Sequence, residues 1–243
     1  MTDRPPNDVV LPSILPLGPA GEVLHPGDFV AQYAWCLDRA GELLAEHGLS
    51  LANAVTTYDF STPATREVYR RTHRERKARL GGAGVFPGAG GILLDDVGHP
   101  EALVRLEVTA SPLPLTGVNP GWSRYETLTY YPGVLAGRTL HMSGFAALDM
   151  ETQQALHEGD LLAQARTTYA AIVEVIAEAG GGPEHLTSLV EYVCPDALGQ
   201  EHLLDQARIE VFGPDAPAAE RHPCAGLLRP EFLVEVFPTA VLP

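Results

Sequence analysis

The chain reads as an α+β protein made of two tandem domains, each a mixed or antiparallel sheet with two helices packed on one face. Two matches predict the duplication. The string Leu24-His25-Pro26-Gly27-Asp28, closing at Gln32, returns as Leu156-His157-Glu158-Gly159-Asp160, closing at Gln164, with His25 and His157 132 residues apart. The endings match as well: Pro100-Glu101-Ala102-Leu103-Val104 against Pro230-Glu231-Phe232-Leu233-Val234, 130 residues apart. A repeat of that length is a duplicated domain, not a short solenoid unit.

Residues 1–8 are polar and proline-bearing and read as a frayed start. Val9 to Leu17 is a short apolar strand interrupted by Pro12 and Pro16. Asp28 is placed to cap a helix whose stripe is Phe29, Val30, Tyr33, Leu37, Ala40 and Leu44, with Gly48 ending it. Ala54 to Phe60 reads as a strand because Val55, Thr56, Thr57 and Tyr58 favour extended backbone. A basic helix follows, with Thr62 or Thr65 as its cap and its stop at Gly81-Gly82. Gly81 to Gly91 then reads as a glycine-rich loop before strands at Ile92-Leu93-Leu94 and Ala102 to Ala110.

Residues 111–121 carry three prolines and two glycines and read as a linker. The expected division is 1–112 for a degenerate first domain, 113–124 for the linker and 125–243 for a fuller second domain. The second copy opens with strands at Glu126 to Tyr131 and Arg138 to Ser143. Asp160 then caps a helix with the stripe Leu161, Leu162, Ala165, Tyr169, Ile172, Val173 and Ile176, which stops at Gly180-Gly181-Gly182. A strand over Leu186 to Val193, a helix over Leu203 to Phe212 and a last strand through Glu235 complete it.

Composition narrows the function classes. The net charge is −15, from 16 Lys+Arg against 31 Asp+Glu, which repels phosphate backbones and argues against nucleic-acid binding. The dense basic run from Arg66 to Arg79 has glutamates interleaved and reads as the solvated face of a helix. No apolar run reaches the roughly 18 residues of a membrane span and no signal pattern opens the chain, so no membrane partner and a cytoplasmic location are expected. Cys36, Cys194 and Cys224 share no metal-binding or disulfide spacing. His25 and His157 precede both helix caps and so read as structural, while His222 has no second well-spaced ligand. No metal and no nucleotide or other cofactor is expected.

The chemistry-bearing residues cluster near the end. Matching the two endings sets Gly91 opposite Arg221 and Arg105 opposite Glu235, so only the second copy carries this Arg–Glu combination. An arginine offers a planar fork of donors suited to a carboxylate, and a glutamate can hold or deprotonate water. An ordinary loop-to-strand ion pair explains the same two residues and stays open. Cys224 lies three residues after Arg221, Ser143-Gly144 ends a strand where backbone can approach a ligand, and Tyr130 offers a hydroxyl.

The second half resembles the RidA (YjgF-type) superfamily of enamine/imine deaminases, once labelled L-PSP endoribonucleases. The residues that carry the resemblance are Tyr130-Tyr131-Pro132-Gly133-Val134-Leu135-Ala136-Gly137, His141-Met142-Ser143-Gly144, the helix with Asp160 and Gln164, Ala216 to Arg221, and Leu233 to Val236. It covers about residues 125–241, and the first half more loosely through the repeat. The fold implied is two RidA-like (chorismate-mutase-like) domains. The roles implied are Arg221 binding a substrate carboxylate, Glu235 positioning the attacking water, and Tyr130, Ser143, Gly144 and Cys224 lining the pocket. The chain departs from the pattern in three places: the family's Pro-Ala-Arg is stretched to Pro217-Ala218-Ala219-Glu220-Arg221, Cys224 lies one residue further from the arginine than usual, and Asp205 stands where Asn is common. The resemblance also implies a homotrimer with clefts between neighbouring subunits, which a tandem chain would supply from its own halves. The expected activity is a hydrolase or deaminase acting on a small carboxylate-bearing imine or enamine. The alternatives are a chorismatase-like hydrolase of an enol ether and a non-catalytic small-acid-binding module. Ribonuclease activity follows the older family label alone, and the charge argues against it.

Overall fold

Each half is built on the same helix entry. Asp28 Oδ1 accepts from the Ala31 N–H at 3.0 Å, and Asp160 Oδ1 accepts from the Ala163 N–H at 3.0 Å, starting α1 (Phe29–Ala45) and α3 (Leu161–Glu178). His25 and His157 both take left-handed backbone, φ 51° and 57°, in the turns before these caps. One turn in, Gln32 and Gln164 are fully buried. Gln32 Oε1 accepts from the Leu103 N–H and Gln164 Oε1 from the Leu233 N–H, both at 2.8 Å, while each Nε2 donates to the carbonyl of its own histidine. The repeated Asp, His and Gln are therefore the clamp that ties each first helix to its sheet.

The computed structural model describes residues 8–82 and 84–243, so the expected frayed start lies, apart from Asp8, outside the described residues. The first half contains β1 (Val9–Val10), α1, β2 (Ala54–Ser61), α2 (Thr72–Arg79), β3 (Gly88–Leu93) and β4 (Val104–Ala110). The second contains β5 (Leu115–Val118), β6 (Gly133–Ala136), β7 (Thr139–Met142), α3, β8 (Leu186–Val193), α4 (His202–Phe212), β9 (Ala219–Pro223), β10 (Gly226–Leu227) and β11 (Val234–Val241). The sheet orders are β1-β4-β2-β3-β10 and β5-β6-β7-β11-β8-β9. In both, the strand after the first helix has a parallel partner on one side, β2 with β3 and β8 with β9, and an antiparallel one on the other, β4 or β11. The two α+β halves of the repeat are thus realised in three dimensions.

Helix and sheet faces meet in one core per half. Tyr33, Leu37, Leu44 and Leu106 pack in the first, and Tyr169, Ile172, Val234 and Val236 in the second. Fully burying one such aliphatic side chain contributes about 1.5–3 kcal/mol. A third cluster, including Phe60, Ile92, Cys194, Cys224, Phe232 and Phe237, joins the two sheets.

Several sequence expectations are corrected. The glycines before Ile92 are not loop: Gly88 to Gly91 already belong to β3. The stretch expected as a linker carries β5, paired with β6 at the edge of the second sheet. Glu126 to Tyr131 is not a strand; a 3₁₀ turn spans Ser123–Thr127 and the strand is β6, beyond Pro132. Neither Thr62 nor Thr65 caps α2, because two 3₁₀ turns intervene and the Thr65 hydroxyl is spent on Ser61 Oγ and the Thr62 carbonyl. The basic helix is not wholly a solvated face, since Arg76 is buried and donates to Tyr33 Oη, Thr57 Oγ1 and the Thr129 carbonyl.

The halves are stitched along the outer edge of β3. The Ala89 N–H donates to Ser143 Oγ at 2.9 Å, and the Gly144 N–H donates to the Ala89 carbonyl at 2.9 Å. Further along, the chain changes sheets within one residue. The Cys224 N–H bonds to Val193 of the second sheet at 3.0 Å, and the Ala225 N–H to Leu93 of the first at 2.8 Å. β10 then pairs with β3 as a strand of the first sheet.

Candidate functional site at the seam of the two halves

Strand register decides which candidates share a site. Residues paired directly across neighbouring strands face the same side of a sheet. Glu235 pairs with Tyr192, which pairs with His222, while Val236 pairs with Glu191, which pairs with Arg221. Glu235 therefore faces the other half, and Arg221 faces helices α3 and α4. The structure does not bring Arg221 and Glu235 together. Side chains alternate along a strand, so the register that sets Arg221 beside Glu191 and Glu235 beside Tyr192 puts the two candidates on opposite faces of the sheet. Glu220 occupies the inter-half face.

Arg221 is engaged under the helices. Its Nε donates to Glu191 Oε2 at 2.6 Å, and its two terminal nitrogens donate to Asp205 at 3.1 and 2.8 Å. Glu191 has no exposed side-chain surface and also accepts from the Tyr169 hydroxyl. The Arg221 guanidinium holds the Asp205 carboxyl below the usual carboxylate range. The ion-pair reading of Arg221 is the one its contacts support.

The five remaining candidates sit at the seam. Glu235 is half-buried and accepts from the backbone N–H of Gly91. Burial pushes its carboxyl up to about 8, with the charge of Asp59 adding to the shift. Ser143 Oγ also donates to the Tyr131 carbonyl at 2.6 Å. Gly144 is required as glycine: a Cβ there would lie 2.3 Å from Glu235 Oε1 and 2.3 Å from the Phe237 ring. Tyr130 packs edge-on to Tyr125 with ring centroids 5.5 Å apart; burial raises its hydroxyl, the Arg76 charge opposes this, and the Glu235 charge adds to it. Cys224 lies in the seam core with its Sγ 3.9 Å from Cys194 Sγ, and that hydrogen bond together with burial pushes its thiol up.

The sequence reading missed the first half's contribution. Gly90 makes room for Phe237, since a Cβ there would lie 2.5 Å from the ring and in contact with Glu235 Oε1 at 3.4 Å, while Gly91 makes room for Tyr69 and Leu228. Tyr58 stacks on Phe237 at 4.4 Å and donates to the Met142 carbonyl at 2.5 Å. Tyr58 and Phe237 also border a cleft of about 290 Å³ between the sheets, whose lining includes Thr139, His141, Tyr192 and Glu220. Arg66 is part-buried with no carboxylate in ion-pair range among the described residues, and its Nη2 stands 2.6 Å from where a Cβ on Gly226 would be. The run of glycines in Gly88 to Gly91 was the available signal for all of this, because side chains are excluded only where something else approaches closely.

Among the described residues no three His, Cys, Asp or Glu side chains are grouped to hold a metal, and no helix is long and apolar enough to cross a membrane.

Fold and seam together define a class: a tandem α+β protein of two RidA-like halves that meet at a shared edge. The chain is similar to a chorismatase crystal structure over 98% of its own length and 76% of that chain, with TM-score 0.70 at 15% identity. Single-domain structures match about half of it. RidA from the Antarctic bacterium Psychrobacter sp. covers 48% of this chain and 90% of its own, at 23% identity and TM-score 0.43. A YjgF/YER057c/UK114-family protein from Mycobacterium tuberculosis covers 53% and 100%, at 19% identity and TM-score 0.44. At these identities the likeness is one of fold. No family model matches the chain.

Proposed function

We propose that the chain is a hydrolase of a small carboxylate-bearing enol ether or enamine, with Glu235 as the acid that protonates the substrate's terminal carbon. The observation that carries this is the half-buried Glu235 carboxyl at the seam, which holds its proton up to about pH 8. At neutral pH such a group donates a proton before it can accept one, which reverses the expected role of deprotonating water at the outset. Protonation at carbon converts an enol ether into an oxocarbenium ion and an enamine into an iminium ion. The carboxylate left behind then takes a proton from the attacking water. The adduct collapses to a 2-oxo acid plus an alcohol in one case and ammonia in the other.

The likeness to chorismatase over nearly the whole chain supports the enol-ether branch. Tyr130, whose hydroxyl feels the Glu235 charge, is the group we assign to hydrogen-bond the departing oxygen or nitrogen. The test is to incubate the protein with chorismate and with a 2-aminoacrylate-type enamine in D₂O at pH 6–8, following the 2-oxo acid by mass and NMR. Turnover with one solvent deuterium in the new methyl group is expected. Turnover of neither substrate overturns the reading and leaves a binding module.

With Arg221 spent on Glu191 and Asp205, the substrate carboxylate needs another cation. Arg66 is the seam arginine without a carboxylate partner among the described residues, so Arg66→Ala is expected to raise KM roughly 10- to 100-fold with a smaller change in kcat, and Arg66→Lys to recover part of it. An unchanged KM in steady-state assays removes Arg66 from the site. The homotrimer implied by the resemblance belongs to the same reading. Sedimentation at three times the 26.0 kDa chain mass supports it, and a monomer refutes it.

A further inference from the structure

The two sheets invite a direct comparison of equivalent positions. β3 stands to β2 as β9 stands to β8, with Asp59 paired to Gly91 and Glu191 paired to Arg221. Asp59 and Glu191, 132 residues apart, are thus the same position in the two halves. Glu191 has its arginine. Asp59 faces a glycine instead. It is 1% exposed, accepts from the Tyr69 hydroxyl at 2.8 Å through Oδ1, and its Oδ2 has no hydrogen-bond partner. No arginine could be restored there, because even a Cβ on Gly91 would lie 2.5 Å from Tyr69 Oη and 2.8 Å from Leu228 Cδ1. The same Gly91 supplies the N–H that Glu235 accepts. One glycine therefore separates a buried and a half-buried carboxyl from different halves, and leaves the first without its cation.

We propose that Asp59 is a positioning residue for Glu235, acting across Gly91 to keep the seam carboxyl in its acid form. This rests on the reading of Glu235 as the acid. The groups around the pair are few. Tyr69, Arg76, Tyr33 and Cys36 face Asp59, and Tyr58, Cys194, Cys224, Tyr125 and Tyr130 face Glu235. Arg76 is the only cation among them, and its guanidinium is bonded to Tyr33, Thr57 and Thr129 rather than to either carboxyl. Burial pushes Asp59 up to about 7 and Glu235 up to about 8, and an ionised Asp59 adds to the Glu235 shift. Its charge then holds the proton on Glu235 across the neutral range.

The test is the pH profile of kcat/KM in the full chain. Asp59→Asn keeps the shape and an acceptor for Tyr69 but removes the charge. The alkaline limb is expected to fall by about one pH unit, with activity near pH 6 within a few-fold of wild type. Tyr69→Phe removes the hydrogen bond that favours ionised Asp59, and is expected to move the limb the same way by less. A folded Asp59→Asn protein whose limb stays at the wild-type pH overturns the proposal. Where that variant does not fold, an unmoved limb in Tyr69→Phe does so. Full activity in Glu235→Gln would instead sink the assignment of the acid itself, so the two failures are distinguishable.

Discussion

Arg221→Ala is expected to destabilise the fold by about 3 kcal/mol while leaving turnover per folded molecule close to wild type. The substitution strips the charge partner from Glu191, whose side chain has no exposed surface, and breaking one side of a buried pair typically costs about 3–5 kcal/mol. The lower figure applies because Arg221 keeps 23% of its side-chain surface and Asp205 keeps 49%, so part of the network is already solvated. Urea denaturation measures the loss. Pairing Arg221→Ala with Glu191→Gln in a double-mutant cycle should recover much of it, since the neutral amide no longer needs a cation. A stable Arg221→Ala protein that loses activity a thousand-fold would return Arg221 to the active site.

Glu235→Gln is expected to lower kcat/KM by about 10²- to 10⁴-fold with the fold retained. The amide keeps the size and still accepts from Gly91, but has no proton to give. In the wild type the rate depends on the acid form, so it is expected to be flat below about pH 7 and to fall as pH rises through about 8. Stability follows the same sign. The folded chain holds the Glu235 proton far above the ordinary carboxyl value of 4.5, so that contribution is fully present below about pH 4.5 and is lost as pH climbs through about 8. Glu235→Gln should flatten this part of the stability–pH curve, which thermal melts at pH 5, 7 and 9 would show.

How far the chain could be read in advance varied with the kind of residue. Asp28, Asp160, Gln32 and Gln164 sit at the same place in two copies and act within a few residues or on a neighbouring strand end, so their pattern is visible in one dimension. The helices α1, α3 and α4 and the strands β2, β4 and β8 were readable for the same reason, within a residue or two at most ends. β6 was not, because Pro132 and Gly133 resemble a turn, yet Gly133 opens the strand. β3 was read only at Ile92 and Leu93, because its other four residues are Gly or Ala, which have no strand preference of their own. That strand persists because Ser143, Gly144 and Glu235 take up its outer edge and leave no room for side chains.

The candidate site divides along the same line. Glu235, Ser143, Gly144, Tyr130 and Cys224 were named from residue type and order, and all lie along the seam. Arg221 was named on the same grounds and lies across the sheet from Glu235, because side-chain direction in a strand alternates and the strand register sets the two on opposite faces. The amino-acid sequence by itself determined the duplication, the α+β class and the unequal chemistry of the two copies, since these depend on repeated local patterns. Tertiary structure alone decided which carboxylate keeps an arginine and which faces a glycine. That outcome depends on strand register and on the contact between the two halves, neither of which is written in local spacing.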